Sequence, residues 1–200
     1  MMKLISFEGS DYSGKTTTAK LLAGKLSKNN SKIIYNSGSI YSGEELAMYK
    51  EISLYIDDSQ REAFYTSAFF LDKKRLDKSD NRIILQDRYW MSVVAYGRFL
   101  NKEKSLHQHV DLSKWMIKPD AIIYLQCSAE EKIRRSNLRN SKSVLDRYLL
   151  KNPEEINKLE YEIKRTLKSF DKIFSLDTTG ISISDVTEKV ENYLLGENLL

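Results

Sequence analysis

Gly9-Ser10-Asp11-Tyr12-Ser13-Gly14-Lys15-Thr16 has the spacing G-x-x-x-x-G-K-[ST], which builds a loop that cradles linked phosphates. Gly9 and Gly14 let the backbone bend until its N–H groups converge on phosphate oxygens. Lys15 supplies a point charge for β- and γ-phosphates, and Thr16 a hydroxyl for Mg²⁺. Ser10, Asp11, Tyr12 and Ser13 complete the loop, and Thr17 carries the chain out of it. A glycine turn that matched this pattern by accident would rarely sit between a strand and a helix, and this one does. Lys3-Leu4-Ile5-Ser6-Phe7-Glu8 precedes it as a short apolar run, and Ala19, Leu22, Ala23 and Leu26 come after it at helical spacing. The helix N-terminus adds its positive dipole to the cradle.

Two further groups of residues suit the same chemistry. Asp87-Arg88-Tyr89 follows the apolar Ile83-Ile84-Leu85. A carboxylate at a strand end beside a phosphate loop can hold the hydration shell of Mg²⁺ or act as a base. Arg88 suits a bidentate grip on a substrate phosphate. Further on lie Lys132, Arg134, Arg135, Arg139, Lys142 and Arg147. Arg135 and Arg139 are four apart and would share a helix face. The bland alternative, a solvated basic face, is common in charge-rich chains.

Positioning these groups requires alternating elements. Strands are expected over Lys3–Phe7, Ser31–Tyr35, Arg82–Gln86, Asp120–Gln126 and Lys172–Leu176. Helices are expected over Gly14–Lys28, Gly43–Tyr55, Ser59–Lys78, Met91–Leu100, Leu112–Ile117, Ala129–Arg139, Pro153–Phe170 (with Asn152 as its N-cap) and Ser182–Leu195. Short apolar strands separated by helices give an α/β fold, a five-stranded parallel sheet flanked by helices on both faces in three layers. Ligands then bind beyond the carboxyl ends of the strands, where every motif above falls. Asn101–Gln108 and Asn140–Ser143 read as the mobile loops.

The 200 residues suit one domain, 1–200, with a sizeable core. Hydrophobic residues make up 41% and charged ones 30%, ordinary for a soluble globular protein, and a net charge of +4 fits a small anionic substrate as well as nucleic acid and decides little between them. Neither nucleic acid nor a membrane is expected as a partner. The single cysteine, Cys127, excludes an intrachain disulfide and suits a reducing cytoplasm. It reads as a packing residue at a strand end. His107 and His109 are two apart and do not share a helix face, so no zinc site is expected.

Phe7-Glu8-Gly9-Ser10-Asp11-Tyr12-Ser13-Gly14-Lys15-Thr16-Thr17 resembles the F-E-G-x-D-x-x-G-K-T-T loop of thymidylate kinases, and Asp87-Arg88-Tyr89, Ser92 and Ala95-Tyr96 resemble their D-R-Y-x-x-S-x-x-A-Y-Q signature. The resemblance covers essentially the whole chain. It implies the P-loop NTPase form of the fold above, a homodimer, and phosphoryl transfer from ATP·Mg²⁺ to a nucleoside monophosphate such as dTMP. Lys15 would hold the β- and γ-phosphates, and Thr16 and Asp87 would serve the metal. Arg88 would grip the acceptor phosphate and the transferred group, Asp11 would contact the acceptor sugar or order the site, and Tyr96 would pack beside the deoxyribose. Residues of about 134–148 would form a short basic lid. Because the loop holds Tyr12 where one subgroup carries an arginine, the catalytic arginine is expected in that lid, at Arg135 or Arg139, and Asp146-Arg147 resembles the pair that ends it.

Three departures fall on the acceptor side. Asn36-Ser37-Gly38-Ser39 stands where the family has an Arg-Glu-Pro-Gly type segment. Tyr65 followed by Phe69 stands where an aromatic is followed by a base-contacting arginine. Gly97 stands where the family has Gln. Tyr65 can stack on a base, whereas Phe69 cannot donate to a pyrimidine carbonyl. Two other readings stay open. One is a deoxynucleoside or other small-metabolite kinase, with Asp87 or Glu8 as base for a hydroxyl acceptor. The other is a non-catalytic, nucleotide-dependent switch.

Overall fold

Alternating side chains along the three central strands must be buried on both faces, and that requirement sets the architecture. A computed structural model describes residues 1–28, 30, 32–38, 51, 55–76, 81–108, 110–139 and 142–200. Its strands are β1 (Lys3–Glu8), β2 (Ile33–Ser37), β3 (Ile83–Asp87), β4 (Ala121–Gln126) and β5 (Ile173–Asp177). They form one parallel sheet in the order β2-β3-β1-β4-β5. The helices are α1 (Lys15–Leu26), α2 (Asp58–Arg75), α3 (Trp90–Asn101), α4 (Ala129–Ser136), α5 (Val144–Lys151), α6 (Pro153–Leu167) and α7 (Ile183–Gly196). None of the described helices is long and apolar enough to cross a membrane.

Two cores cover the sheet. Leu4, Ile84, Ile122 and Tyr124 point to one side, against α2, α3 and α6. Ile5, Phe7, Leu85, Ile123 and Leu125 point to the other, against α1 and α7. Phe7 pairs with Asp87 and Glu8 with Tyr124, so β1 and β3 end within one residue of each other and β4 runs two residues further along the same edge. The phosphate loop leaves the middle of that edge.

Several elements differ from the sequence reading. Leu112–Ile117 forms only a 3-10 turn over Leu112–Lys114. The expected loop Asn101–Gln108 is anchored in 3-10 turns instead of lying free. Ser105 Oγ donates to Glu62 at 2.6 Å, and Arg98 donates to the His107 carbonyl at 2.9 Å. Helix α5 is absent from the sequence expectation, because eight residues give too short a periodicity. Its signal is the capping box of Ser143 and Asp146. Asn152 precedes α6, but its side chain donates backwards to the Tyr148 carbonyl instead of capping. Most of the helix expected over 43–55, and residues 140–141 of the other expected loop, lie outside the described residues.

Candidate active site

The loop needs its first glycine for a specific reason. A Cβ at Gly9 would stand 2.1 Å from the Leu125 carbonyl oxygen at the end of β4, and Gly9 itself has φ 137°. Gly14 caps α1 in the left-handed region at φ 96°. Tyr12 and Arg88 hold the same region without being glycine, at φ 67° and 64°. Strain of this kind persists only where the surroundings over-determine it. Gln86 does this for Arg88, accepting from Asn36 at 2.7 Å while donating to the carbonyls of Arg88 at 2.6 Å and Gly38 at 2.5 Å. Asn36 therefore braces the turn that holds Arg88, at the position where the family resemblance implies a phosphate-gripping arginine.

Arg88 is the centre of the site. It donates to Asp11 at 2.7 Å, to the Tyr96 hydroxyl at 3.2 Å, to Ser92 Oγ at 3.3 Å and to the Gly9 carbonyl at 3.3 Å. The Tyr96 hydroxyl also donates to Asp11 at 3.0 Å. Burial pushes the Asp11 carboxyl up, but the charges of Arg88 and Lys15 outweigh it and hold the group well below the usual carboxylate range. Glu8 is buried and accepts from Ser6 at 2.7 Å, Ser92 at 2.5 Å and the Tyr89 amide at 2.9 Å. Desolvation nevertheless raises its pKa. With Oε1 accepting from Ser6 and Tyr89 and Oε2 from Ser92 in a fully buried position, Glu8 braces Ser92 and the turn of Arg88 from behind.

Lys15 is 4% exposed and donates to the Ser10 carbonyl at 2.7 Å. Burial and the nearby Arg88 charge push its ammonium down to about 8. Thr16 Oγ1 lies 2.5 Å from Asp87 Oδ2, which also accepts from the Tyr35 hydroxyl at 3.1 Å. Asp87 Oδ1 is buried with no hydrogen-bond partner. A hydroxyl beside a half-satisfied carboxylate is a donor set that fits a hard divalent cation. Ser13 Oγ is buried without a partner as well. Tyr35 escapes a reading of the sequence, since nothing there tells a strand tyrosine that packs from one that touches Asp87.

The basic segment divides into two parts. Arg135 is committed: it donates to Glu131 at 2.7 Å, to the Tyr12 carbonyl at 3.0 Å and to Thr178 Oγ1 and O at 2.9 and 2.6 Å. Arg139 is exposed and lies over the Tyr12 ring at 4.9 Å, and Arg147 is exposed on α5. Cys127 is buried and contacts the Tyr12 carbonyl at 3.5 Å.

The aromatic pair on α2 separates too. Tyr65 is half-buried. Phe69 is 2% exposed, edge-to-face with Tyr89 at 5.2 Å, so it belongs to the core and not to a pocket wall. At Gly97, a Cβ would stand 2.5 Å from the Glu62 carboxyl, and Glu62 is itself fixed by Asn101 at 2.6 Å and Ser105. Gly97→Ala is accordingly expected to destabilise the fold by about 1–3 kcal/mol, read from urea midpoints. An unchanged midpoint would show that Glu62 steps aside freely.

Known proteins share this arrangement of sequence and fold. The family model described as thymidylate kinase matches residues 7–193. A probable thymidylate kinase of Picrophilus torridus is 29% identical over 180 residues, covering 86% of this chain and 81% of that one. A cytidylate kinase of Bacillus anthracis is 27% identical over 223 residues, covering 96% of each. A solved thymidylate kinase from Ehrlichia chaffeensis superposes with a TM-score of 0.71 at 18% identity, covering 96% of this chain and 98% of its own.

Proposed function

The chain belongs to the thymidylate kinase family, and from that premise we propose that it transfers the γ-phosphoryl group of ATP to dTMP, giving ADP and dTDP. The observation that carries the reading is Arg88, held by Asp11 and Tyr96 against the first residue of the phosphate loop. A guanidinium fork there suits both an acceptor phosphate and the phosphoryl group in flight.

In this reading the loop amides and Lys15 hold the ATP phosphates, and Lys15 exchanges the Ser10 carbonyl for them. Arg88 orients the acceptor, Asp11 engages its sugar, and Tyr96 packs beside it. Tyr65 is the aromatic left to stack on the base, since Phe69 is in the core. Mg²⁺, held through Thr16 and Asp87, would neutralise charge on the phosphates. An oxygen of the acceptor phosphate forms the new bond to the γ-phosphorus as the bond to the bridging oxygen breaks. That acceptor is already an anion at neutral pH, so no side chain need take a proton. The work is positioning and charge neutralisation. Arg139 and Arg147, both exposed, remain able to close over the nucleotide as a lid of about residues 134–148, while Arg135 holds the loop from behind. We place the enzyme in the cytoplasm, where a chain with one cysteine and ATP as substrate belongs. The homodimer implied by the family would be checked by sizing.

Acceptor preference tests the reading. Coupled turnover with dTMP, dCMP, CMP and thymidine should give the highest kcat/KM for dTMP. Preference for a cytidine monophosphate would keep the chemistry and replace the acceptor. Turnover with thymidine but not dTMP would overturn the monophosphate reading.

The depressed Lys15 pKa gives a second expectation. In the free protein the ammonium loses its proton as pH rises through about 8, while anionic ATP favours the charged form. The apparent KM for ATP should therefore rise above pH 8, by about tenfold per unit in the limit that neutral Lys15 does not bind ATP. At saturating ATP, kcat should stay flat over the same range. A flat KM to pH 9.5 would contradict it.

A further inference from the structure

Glu160 is a charge on an apolar stripe. Ile156, Leu159, Ile163 and Leu167 are buried on α6, and Glu160 falls among them at helical spacing. Nothing proposed above uses it. Its carboxylate gathers donors from three other elements. Ser10 Oγ of the phosphate loop donates to Oε1 at 2.5 Å, and Lys132 Nζ of α4 donates to the same oxygen at 2.7 Å. The Tyr124 hydroxyl of β4 donates to Oε2. The Lys132 and Glu160 side chains are 3% and 12% exposed.

The connection to chemistry is one residue long. Ser10, whose hydroxyl is tied to Glu160, offers its own carbonyl to Lys15 Nζ at 2.7 Å. A bare carboxylate behind a phosphate-binding loop would repel the nucleotide, and Lys132 cancels that charge. Burial pushes the Glu160 carboxyl up, but Lys132 and the two hydroxyls outweigh it, so the group stays ionised. Helix α4 thereby holds the loop twice. Arg135 grips the Tyr12 carbonyl directly, and Lys132, one turn earlier, acts on Ser10 through Glu160.

We propose that Glu160, neutralised by Lys132, is a positioning residue that fixes Ser10 and, through the Ser10 carbonyl, the placement of Lys15 for ATP. The shape of the phosphate loop is then set by the helix that leads into the basic segment. This rests on the phosphotransferase reading, but the binding it concerns is measurable without turnover.

The test compares Ser10→Ala, the charge-neutral pair Lys132→Met/Glu160→Leu, their combination, and Glu160→Gln in the full chain. Affinity for Mg·ATP is read by calorimetry, alongside KM for dTMP and the melting midpoint. A charge-assisted hydrogen bond is worth about tenfold or more in affinity. Ser10→Ala and the pair should therefore each weaken Mg·ATP binding about tenfold, and their combination should be no worse than either. KM for dTMP should stay within about twofold, and Glu160→Gln, which keeps an acceptor oxygen for Ser10, should retain most of the affinity. Unchanged or tighter Mg·ATP binding in the pair, or losses that add in the combination, would overturn the proposal. If the pair does not fold, Ser10→Ala decides: a tenfold loss with unchanged dTMP KM supports it, and unaltered affinity sinks it. A wild type that binds Mg·ATP without turnover would count against the proposed function and leave this result readable.

Discussion

Lys15→Ala is expected to abolish most turnover while leaving the protein at least as stable as the wild type. The activity loss follows from removing the one loop ammonium, a preorganised charge facing the ATP phosphates, and is about 10³-fold in kcat/KM. The stability result follows from how Lys15 is held. It is buried beside the Arg88 charge, and its side chain donates to a backbone carbonyl. Its pKa of about 8 means that the folded state disfavours the charge relative to water. Deleting it relieves that cost, as expected where a function-bearing charge is kept against stability. Coupled turnover and a thermal melt of the same preparation check both halves. A variant that lost activity by melting early would show that Lys15 is structural.

Arg88→Met is expected to cut kcat/KM for dTMP by about 10³-fold or more while affinity for Mg·ATP changes little. The distinction comes from partners. Arg88 is bound to Tyr96 and Ser92 of α3 and touches the phosphate loop only through Asp11 and the Gly9 carbonyl, so in the proposed reading it faces the acceptor while the ATP phosphates are left to Lys15 and the loop amides. Arg88→Lys should not rescue, because an ammonium cannot reproduce a two-point grip. Losing the guanidinium also leaves Asp11 with only the Lys15 charge and the Tyr96 hydroxyl against its burial, and its pKa should climb from its depressed position, visible as a new acidic limb in the pH profile. Equal losses for ATP and dTMP would contradict the assignment of sides.

Much of this was legible in the chain, for physical reasons that differ by residue. Gly9 and Gly14 are read from sequence because both hold positive φ, which favours glycine, and at Gly9 any Cβ would also meet the Leu125 carbonyl. Strands such as Ile83–Asp87 are read because burial on both faces leaves a solid apolar run. Asp87 and Arg88 are read because a strand end beside a phosphate loop is where such groups can act. What stayed hidden depends on registers and contacts across the chain. Phe69 stands in sequence where the family has a base-contacting arginine, and only the packing of α2 against Tyr89 puts it in the core. Arg135 and Arg139 share a face, yet Thr178, 43 residues away, claims one and leaves the other over Tyr12. Asn36 looked like a lost phosphate ligand, and its bond to Gln86 instead stiffens the turn that Arg88 needs. Glu160 did carry a signal, a charge on the buried stripe of α6, but nothing in the sequence says that its partners are Ser10 and Lys132.

Whether a phosphoryl group passes from ATP to dTMP in this site is decided by following γ-labelled ATP with Mg²⁺ and dTMP. Labelled dTDP is expected in one-to-one yield with ADP, dependent on dTMP and lost in Lys15→Ala. Label released as inorganic phosphate whether or not dTMP is present, or dTMP left unlabelled while ATP stays intact, would contradict the transfer.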